Sequence, residues 1–138
     1  MESKDLILSN KMADIYYFPA NKMIIAIYHG LVDYTLFKDI ISVVNTTAIE
    51  QGISGGLSDV TQLRGSYQRF LEYMEDTGFP LLIENGFRVQ AQIISDDLIM
   101  INLSEKVEKI MISLGVNFKS FRERSEGKEW LKKELANK

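Results

Sequence analysis

From Met23 to Tyr28 the chain reads Met-Ile-Ile-Ala-Ile-Tyr, apolar at every position. A strand of that kind has no face to give to water, so it must be covered on both sides. Ahead of it stand Ile15-Tyr16-Tyr17-Phe18 and then Pro19-Ala20-Asn21-Lys22: β-branched and aromatic residues, then a turn-forming tetrad. The pair reads as a β-hairpin whose second arm lies deep in a sheet.

Beyond Tyr28 the chain alternates between two periodicities. His29-Gly30-Leu31-Val32 leaves the strand, and Asp33 is placed to cap a helix. Leu36, Phe37, Ile40, Val44 and Ala48 then recur at three- and four-residue spacing, and Gly52 ends the helix. A short strand is predicted from Ile53 to Val60, with Ser58 and Asp59 near its end. Ser66 is predicted to cap a second helix carrying Tyr67, Phe70, Leu71 and Met74, which breaks at Thr77-Gly78-Phe79-Pro80. The stretch 78–87 suits helix and loop equally. Arg88 to Ile94 alternates as a strand, with Val89, Ala91 and Ile93 on one face. Asp96 or Asp97 starts a long helix with Leu103, Val107, Ile110, Met111 and Leu114 inward, closed by Gly115. Val116 to Arg122 is the last strand. Ser125 is predicted to cap a final helix that holds Leu131, Leu135 and a largely buried Trp130.

The order β-β-α-β-α-β-α-β-α predicts an α/β fold. The sheet is expected to be mixed, mostly parallel and five-stranded, with an antiparallel N-terminal hairpin and about four helices. One domain is expected over 1–138, its core about 14–135, with 1–12 as a mobile N-terminal segment.

Composition removes whole classes of chemistry. The 138 residues suffice to bury roughly 70% of the unfolded surface, so the fold needs no disulfide or metal. With no cysteine, thiol catalysis and zinc–thiolate sites are excluded. His29 is the single histidine, so any metal site or triad would be built around it. A net charge of −3 argues against nucleic acid as a partner. Leu6-Ile7-Leu8 is too short for a secretory signal, and no apolar run is long enough to span a membrane. A cytoplasmic location is therefore expected. There is no phosphate-binding glycine loop in the right context and no calcium loop, so no cofactor or metal is expected.

Three stretches carry a family likeness: Asn21 to Gly30, Gly55-Gly56-Leu57-Ser58-Asp59-Val60-Thr61, and Phe118 to Leu131 with its Phe-Arg strand end and Trp-Leu helix. Over about residues 14–135 the chain resembles the STAS-like domains, which have the anti-sigma-factor-antagonist fold, and within them a divergent sporulation-antagonist-like branch. The resemblance implies a non-enzymatic binding or regulatory module that docks a protein partner or a small apolar or anionic ligand. The divergent branch has been linked to lipid-like ligands. Switch-type antagonists carry an Asp-Ser-Ser-Gly turn whose serine is phosphorylated. Here the region reads Gln62-Leu63-Arg64-Gly65-Ser66-Tyr67, so Ser66 is expected to cap a helix and to remain unphosphorylated.

In open α/β sheets ligands gather outside the carboxyl ends of the strands. That places the candidate binding surface at Ser58, Asp59, Thr61, Arg64, Ser66 and Arg69. Arg64 and Arg69 flank Ser66 and are suited to an acidic group. The plainer reading is that Asp59 and Ser66 cap turns and that the arginines are solvated. A competing class is an acid/base enzyme using His29, oriented by Asp33, or Asp59. The plainer reading of His29 is a strand-end ring bonded to backbone. Glu72, Glu75, Asp76 and Asp96-Asp97 read as helix-terminal carboxylates. Tyr16, Tyr17, Phe18, Tyr28 and Phe37 are suited to an apolar pocket or a dimer face, which leaves a homodimeric assembly module as a third reading.

Overall fold

The computed structural model describes residues 2–137. Six strands form one sheet in which order in space equals order in sequence: β1 (Asp5–Ser9), β2 (Ala13–Phe18), β3 (Met23–Leu31), β4 (Gly55–Arg64), β5 (Val89–Ile93) and β6 (Asn117–Phe121). β1, β2 and β3 pair antiparallel; β3 to β6 pair parallel. Helix α1 (Tyr34–Gln51) joins β3 to β4. An irregular helical segment over 68–84 joins β4 to β5. It runs from a 3-10 turn (Gln68–Phe70) through α2 (Leu71–Tyr73) and a π-helical turn (Met74–Gly78) into α3 (Phe79–Glu84). Helix α4 (Leu98–Ser113) joins β5 to β6, and α5 (Arg124–Ala136) follows β6.

The topology decides which face holds the larger core. Each parallel strand is laid beside its predecessor on the same side, and crossovers are right-handed. Every connecting helix then falls on one face. Accordingly Phe37 and Ile40 of α1, Leu71 of α2, and Met100, Leu103, Val107 and Met111 of α4 form a cluster with Ile24, Ala26 and Val60 of the sheet. Among the described residues α5 alone of the helices covers the other face, where Leu131 meets Met23, Ile25, Leu57, Val89, Ala91 and Ile93. Its close approach needs Gly127, because a Cβ there would stand 2.5 Å from Ile93 Cδ1.

Local signals act where expected at two helix starts. Asp33 accepts from the N–H of Leu36 at 3.0 Å. Asp97 accepts from Ile99 and Met100 at 2.9 and 3.1 Å. Other expectations need correction. The sheet has six strands, because Asp5–Ser9 pairs with β2 across a bulge at Ile7, and Met12 is fully buried. Asp5–Ser9 and Met12 thus belong to the sheet and its core. The expected strand Ile53–Val60 continues to Arg64, since β4 keeps pairing with β3 and buries Leu63. The ambiguous stretch contains helix Phe79–Glu84. Ser125 does not cap α5: the helix starts at Arg124 after Glu123, which places the Arg124 guanidinium 2.9 Å from Asp59. Trp130 is only partly buried. The inward line of α5 passes through Gly127 and Leu131, and Trp130 sits beside it, its ring centroid 5.6 Å from that of Phe121.

Candidate functional site

The six residues expected to form one surface lie in several places. Ser58 and Asp59 are neighbours in the middle of β4, so strand alternation sends them to opposite faces. Asp59 is only 3% exposed. Its Oδ1 accepts from the Thr61 amide at 3.0 Å and the Thr61 hydroxyl at 2.7 Å, and its Oδ2 pairs with Arg124. The cause is a slip in register. Ile27 faces Asp59 but His29 faces Gln62, so β4 holds one extra residue here. Asp59 satisfies the N–H freed by that bulge. Arg64 is exposed and borders an open hollow with His29, Thr61, Ser95 and Asp97. Ser66 is exposed and accepts from the N–H of Gln68 at 3.2 Å, a local serine turn; it does not occupy the cap position expected of it, which falls to Tyr67 without a side-chain cap. Arg69 lies 4.2 Å from the centroid of the Tyr34 ring, on the far side of that segment.

His29 is bonded to backbone, its Nδ1 3.1 Å from the Lys11 carbonyl oxygen. Its Nε2 lies 3.4 Å from Asp14, not from Asp33, which caps α1. No group of three or more acidic or histidine side chains suited to a metal occurs among the described residues.

The residues that do converge lie under the helices. Alternation in Val89-Gln90-Ala91-Gln92-Ile93 sends Val89, Ala91 and Ile93 toward α5 and both glutamines to the opposite face, where they are 4% and 3% exposed. The Gln90 side-chain amide donates toward Ser58 Oγ at 3.1 Å, the Ala91 carbonyl at 3.1 Å and Gln92 Oε1 at 3.2 Å. Gln92 in turn reaches Ser104 of α4 at 3.5 Å. Around this polar stripe are two adjoining hollows of about 100 and 120 Å³, which share Tyr28, Phe37, Ser58, Met74, Phe79, Gln90 and Met111. Their remaining walls are mainly aliphatic and aromatic. This combination of apolar walls with a few convergent polar groups is what small-molecule sites have in common.

Two tyrosines complete the chamber. Burial pushes the Tyr28 hydroxyl up to about 12, and no hydrogen-bonding group offsets the shift. Burial also raises Tyr67, with Tyr28 adding to the effect and a hydrogen bond to Ser104 opposing it. Both are therefore neutral donors near pH 7. The roof of the chamber is the irregular 68–84 segment, which supplies Met74, Gly78 and Phe79 from in and beside its π-helical turn. Turns of that kind inside helices often mark functional sites.

A wider groove of about 600 Å³ lies on the surface between α1 and the start of this segment, lined by Lys38, Ile41, Ser42, Asn45, Thr46, Ile49, Arg69, Phe70 and Tyr73. Ile41, Asn45 and Tyr73 line both groove and chamber, so the two adjoin at these residues. At the junction Asn45 Nδ2 lies 3.4 Å from the Tyr73 hydroxyl, a long hydrogen bond.

Of the sequence candidates, Ser58 belongs to the chamber and Arg69 to the groove; Asp59, Thr61, Arg64 and Ser66 belong to neither. Of the early aromatics, Tyr28 and Phe37 line the chamber. Tyr17 is buried and donates to the Gly52 carbonyl at 2.9 Å, and Phe18 packs on the α5 face. Gln90, Gln92 and Ser104 are not among the residues that the sequence singles out, and Tyr67 is read there only as a residue of the second helix. A signal was present: a strand joined through helices on both sides lies inside a parallel sheet, so its alternate polar residues point under a helix, not into water.

Comparison with protein-family models finds no match, and comparison with curated proteins finds none. Among solved structures, the chain is similar to an uncharacterized protein of the DUF3478 family with a SpoIIAA-like fold from Shewanella loihica PV-4. The TM-score is 0.55 and the identity 16%, covering 94% of this chain and 92% of that one. The shared architecture agrees with the expected α/β fold and with the STAS-like resemblance: this chain has a SpoIIAA-like fold, with six strands in a mixed, mostly parallel sheet.

Proposed function

We propose that this chain is a non-enzymatic binding module that holds a small, largely apolar ligand between its sheet and the 68–84 segment. Tyr28, Ser58 and Gln90 supply the polar contacts. The observation that carries this reading is the chamber itself: an interior space with apolar walls into which neutral donors converge. His29 and Asp59, the side chains suited to acid/base work, line neither hollow. The proposed ligand site lies against the middle of the sheet, and of the six expected residues it includes Ser58.

The test is uptake of a neutral apolar fluorophore, N-phenyl-1-naphthylamine, by the full chain. Saturable uptake is expected in the wild type. It should be lost in Ser58→Leu, whose larger side chain enters both hollows, with folding checked by a urea melt. Absence of uptake by the folded wild type, or uptake unchanged in a folded Ser58→Leu, refutes the reading.

A second reading, docking of a protein partner, has one observation in its favour. Leu98 and Ile99, 81% and 55% exposed, share a shallow surface hollow with Ser66, and Leu31, 67% exposed, abuts Gly65. A photo-crosslinking residue at position 98 that captures one defined host protein would support it. Crosslinks only to diverse abundant proteins would count against it.

A further inference from the structure

We propose that the groove between α1 and the 68–84 segment is the face by which two copies of this chain pair about a two-fold axis. The inference is independent of what the chamber holds. It starts from the topology. β3, β4 and β5 are parallel, and α1 and the 68–84 segment each run back from the carboxyl end of one strand to the start of the next. The two therefore point the same way, and the groove between them has two distinct ends. Lys38 and Arg69, each near the start of its element, make one end cationic. Stacking on Tyr34 at 4.2 Å holds the Arg69 guanidinium there. The middle is apolar, with Ile41 and Phe70 partly buried and Ile49 and Tyr73 63% and 38% exposed. Past Tyr73 the same side of the segment continues to Asp76, which is exposed. Arg69, Tyr73 and Asp76 thus follow one another along one line, with about 10 Å between its ends at 1.5 Å per residue. None of Lys38, Arg69 and Asp76 is in an ion pair among the described residues. A surface that is cationic at one end, apolar in the middle and acidic at the other is its own complement after half a turn. A two-fold axis through Tyr73 sets Arg69 of each copy against Asp76 of the other and closes the exposed Tyr73 and Ile49 between them. That self-complementarity is what selects a second copy as the occupant.

The test is sedimentation equilibrium of the full chain. A monomer–dimer equilibrium is expected in the wild type, with a micromolar dissociation constant, the weak end for an interface of standard size. Arg69→Asp and Asp76→Arg should each weaken pairing more than about tenfold, because like charges then face each other across the axis. Arg69→Asp/Asp76→Arg keeps the net charge of the wild type and re-forms both pairs in reverse, so it should regain the dimer. Ile49→Gln, at an exposed site away from the Tyr34 stack, should weaken pairing through the apolar middle. Urea melts check that each variant is folded. A wild type that stays monomeric to about 1 mM overturns the proposal and leaves the groove to a different occupant. So does a dimer unmoved by the single charge reversals or by Ile49→Gln, or one that the double exchange fails to restore.

Discussion

The polar stripe on β5 offers a quantitative test of whether the chamber floor is a closed hydrogen-bonded unit. Gln90 is nearly inaccessible, and its amide nitrogen serves three acceptors with two hydrogens. Gln90→Met keeps about the same length and removes those donors. Gln92 Oε1 is then left without its partner inside the fold. A buried acceptor stranded in this way costs about 1–3 kcal/mol. The gain from exchanging an amide for an apolar group offsets part of this, so a net loss of about 1–2 kcal/mol is expected. For a chain of this size that is roughly 3–7 °C in Tm. Gln90→Met/Gln92→Met removes donor and stranded acceptor together, leaving Ser104 its bond to Tyr67. The double variant should recover most of the loss, since replacing both partners by apolar groups is close to neutral. Urea denaturation gives the free energies and shows through the slope whether the native state has loosened. A Gln90→Met variant as stable as wild type would refute the reasoning, because something other than Gln90 would then be satisfying Gln92. So would a double variant no more stable than the single one.

Other perturbations test other parts of the fold. Gly127→Ala should destabilise although alanine is favoured in helices by about 1 kcal/mol, because its Cβ meets Ile93 Cδ1 at 2.5 Å; a urea melt at or above wild type would contradict this. Leu131→Ala, at a fully buried site, should cost about 2–5 kcal/mol, and Trp130→Ala clearly less, the reverse of the order expected from size alone. The Tyr28 phenol is held neutral to about pH 12, whereas an unfolded chain releases that proton near pH 10. Stability from this source is complete below about pH 10 and lost as pH rises toward 12; alkaline thermal melts should show the fall, and Tyr28→Phe should lessen it, the buried Tyr67 phenol keeping the remainder. The Ser66 hydroxyl accepts from the N–H of Gln68, and phosphopeptide mapping of protein from its own host should find it unmodified; stoichiometric phosphate there would revive partner switching.

Where local chemistry decides structure, the sequence is legible. Asp33, Gly52 and Asp97 mark helix ends because a cap is a contact between near neighbours in the chain. The alternation of strand and helix is enough for the fold class. The first strand escapes such a reading because Asp5–Ser9 is short, mostly exposed and held by its partner β2 more than by its own pattern. Asp59 misleads for a similar reason. Its environment is set by a slip between two strands and by Arg124, 65 residues away, and neither can be seen from the residues beside it. The candidate site is the least legible part. Its floor comes from β3, β4 and β5, and its roof from α1, α4 and the 68–84 segment. Polar residues in an alternating strand look solvent-facing until the topology shows that a helix lies over them.

A sheet laid down strictly in the order of its strands has a consequence for how the chain emerges during synthesis. Each new strand finds its partner already present at the growing edge, so no strand must wait for a distant sequence or be inserted between two others. The helices over the larger core arrive interleaved with those strands and can dock as they appear. The opposite face has no such provision. Met23, Leu57, Val89 and Ile93 accumulate there while its cover, α5, is the last described element to be made. A nascent chain paused after β6 would carry a bare apolar sheet surface, the kind of species that aggregates or engages chaperones. On this account α5 acts as the closing step of biogenesis, and chains shortened before Leu131 should fail at solubility before they fail at binding.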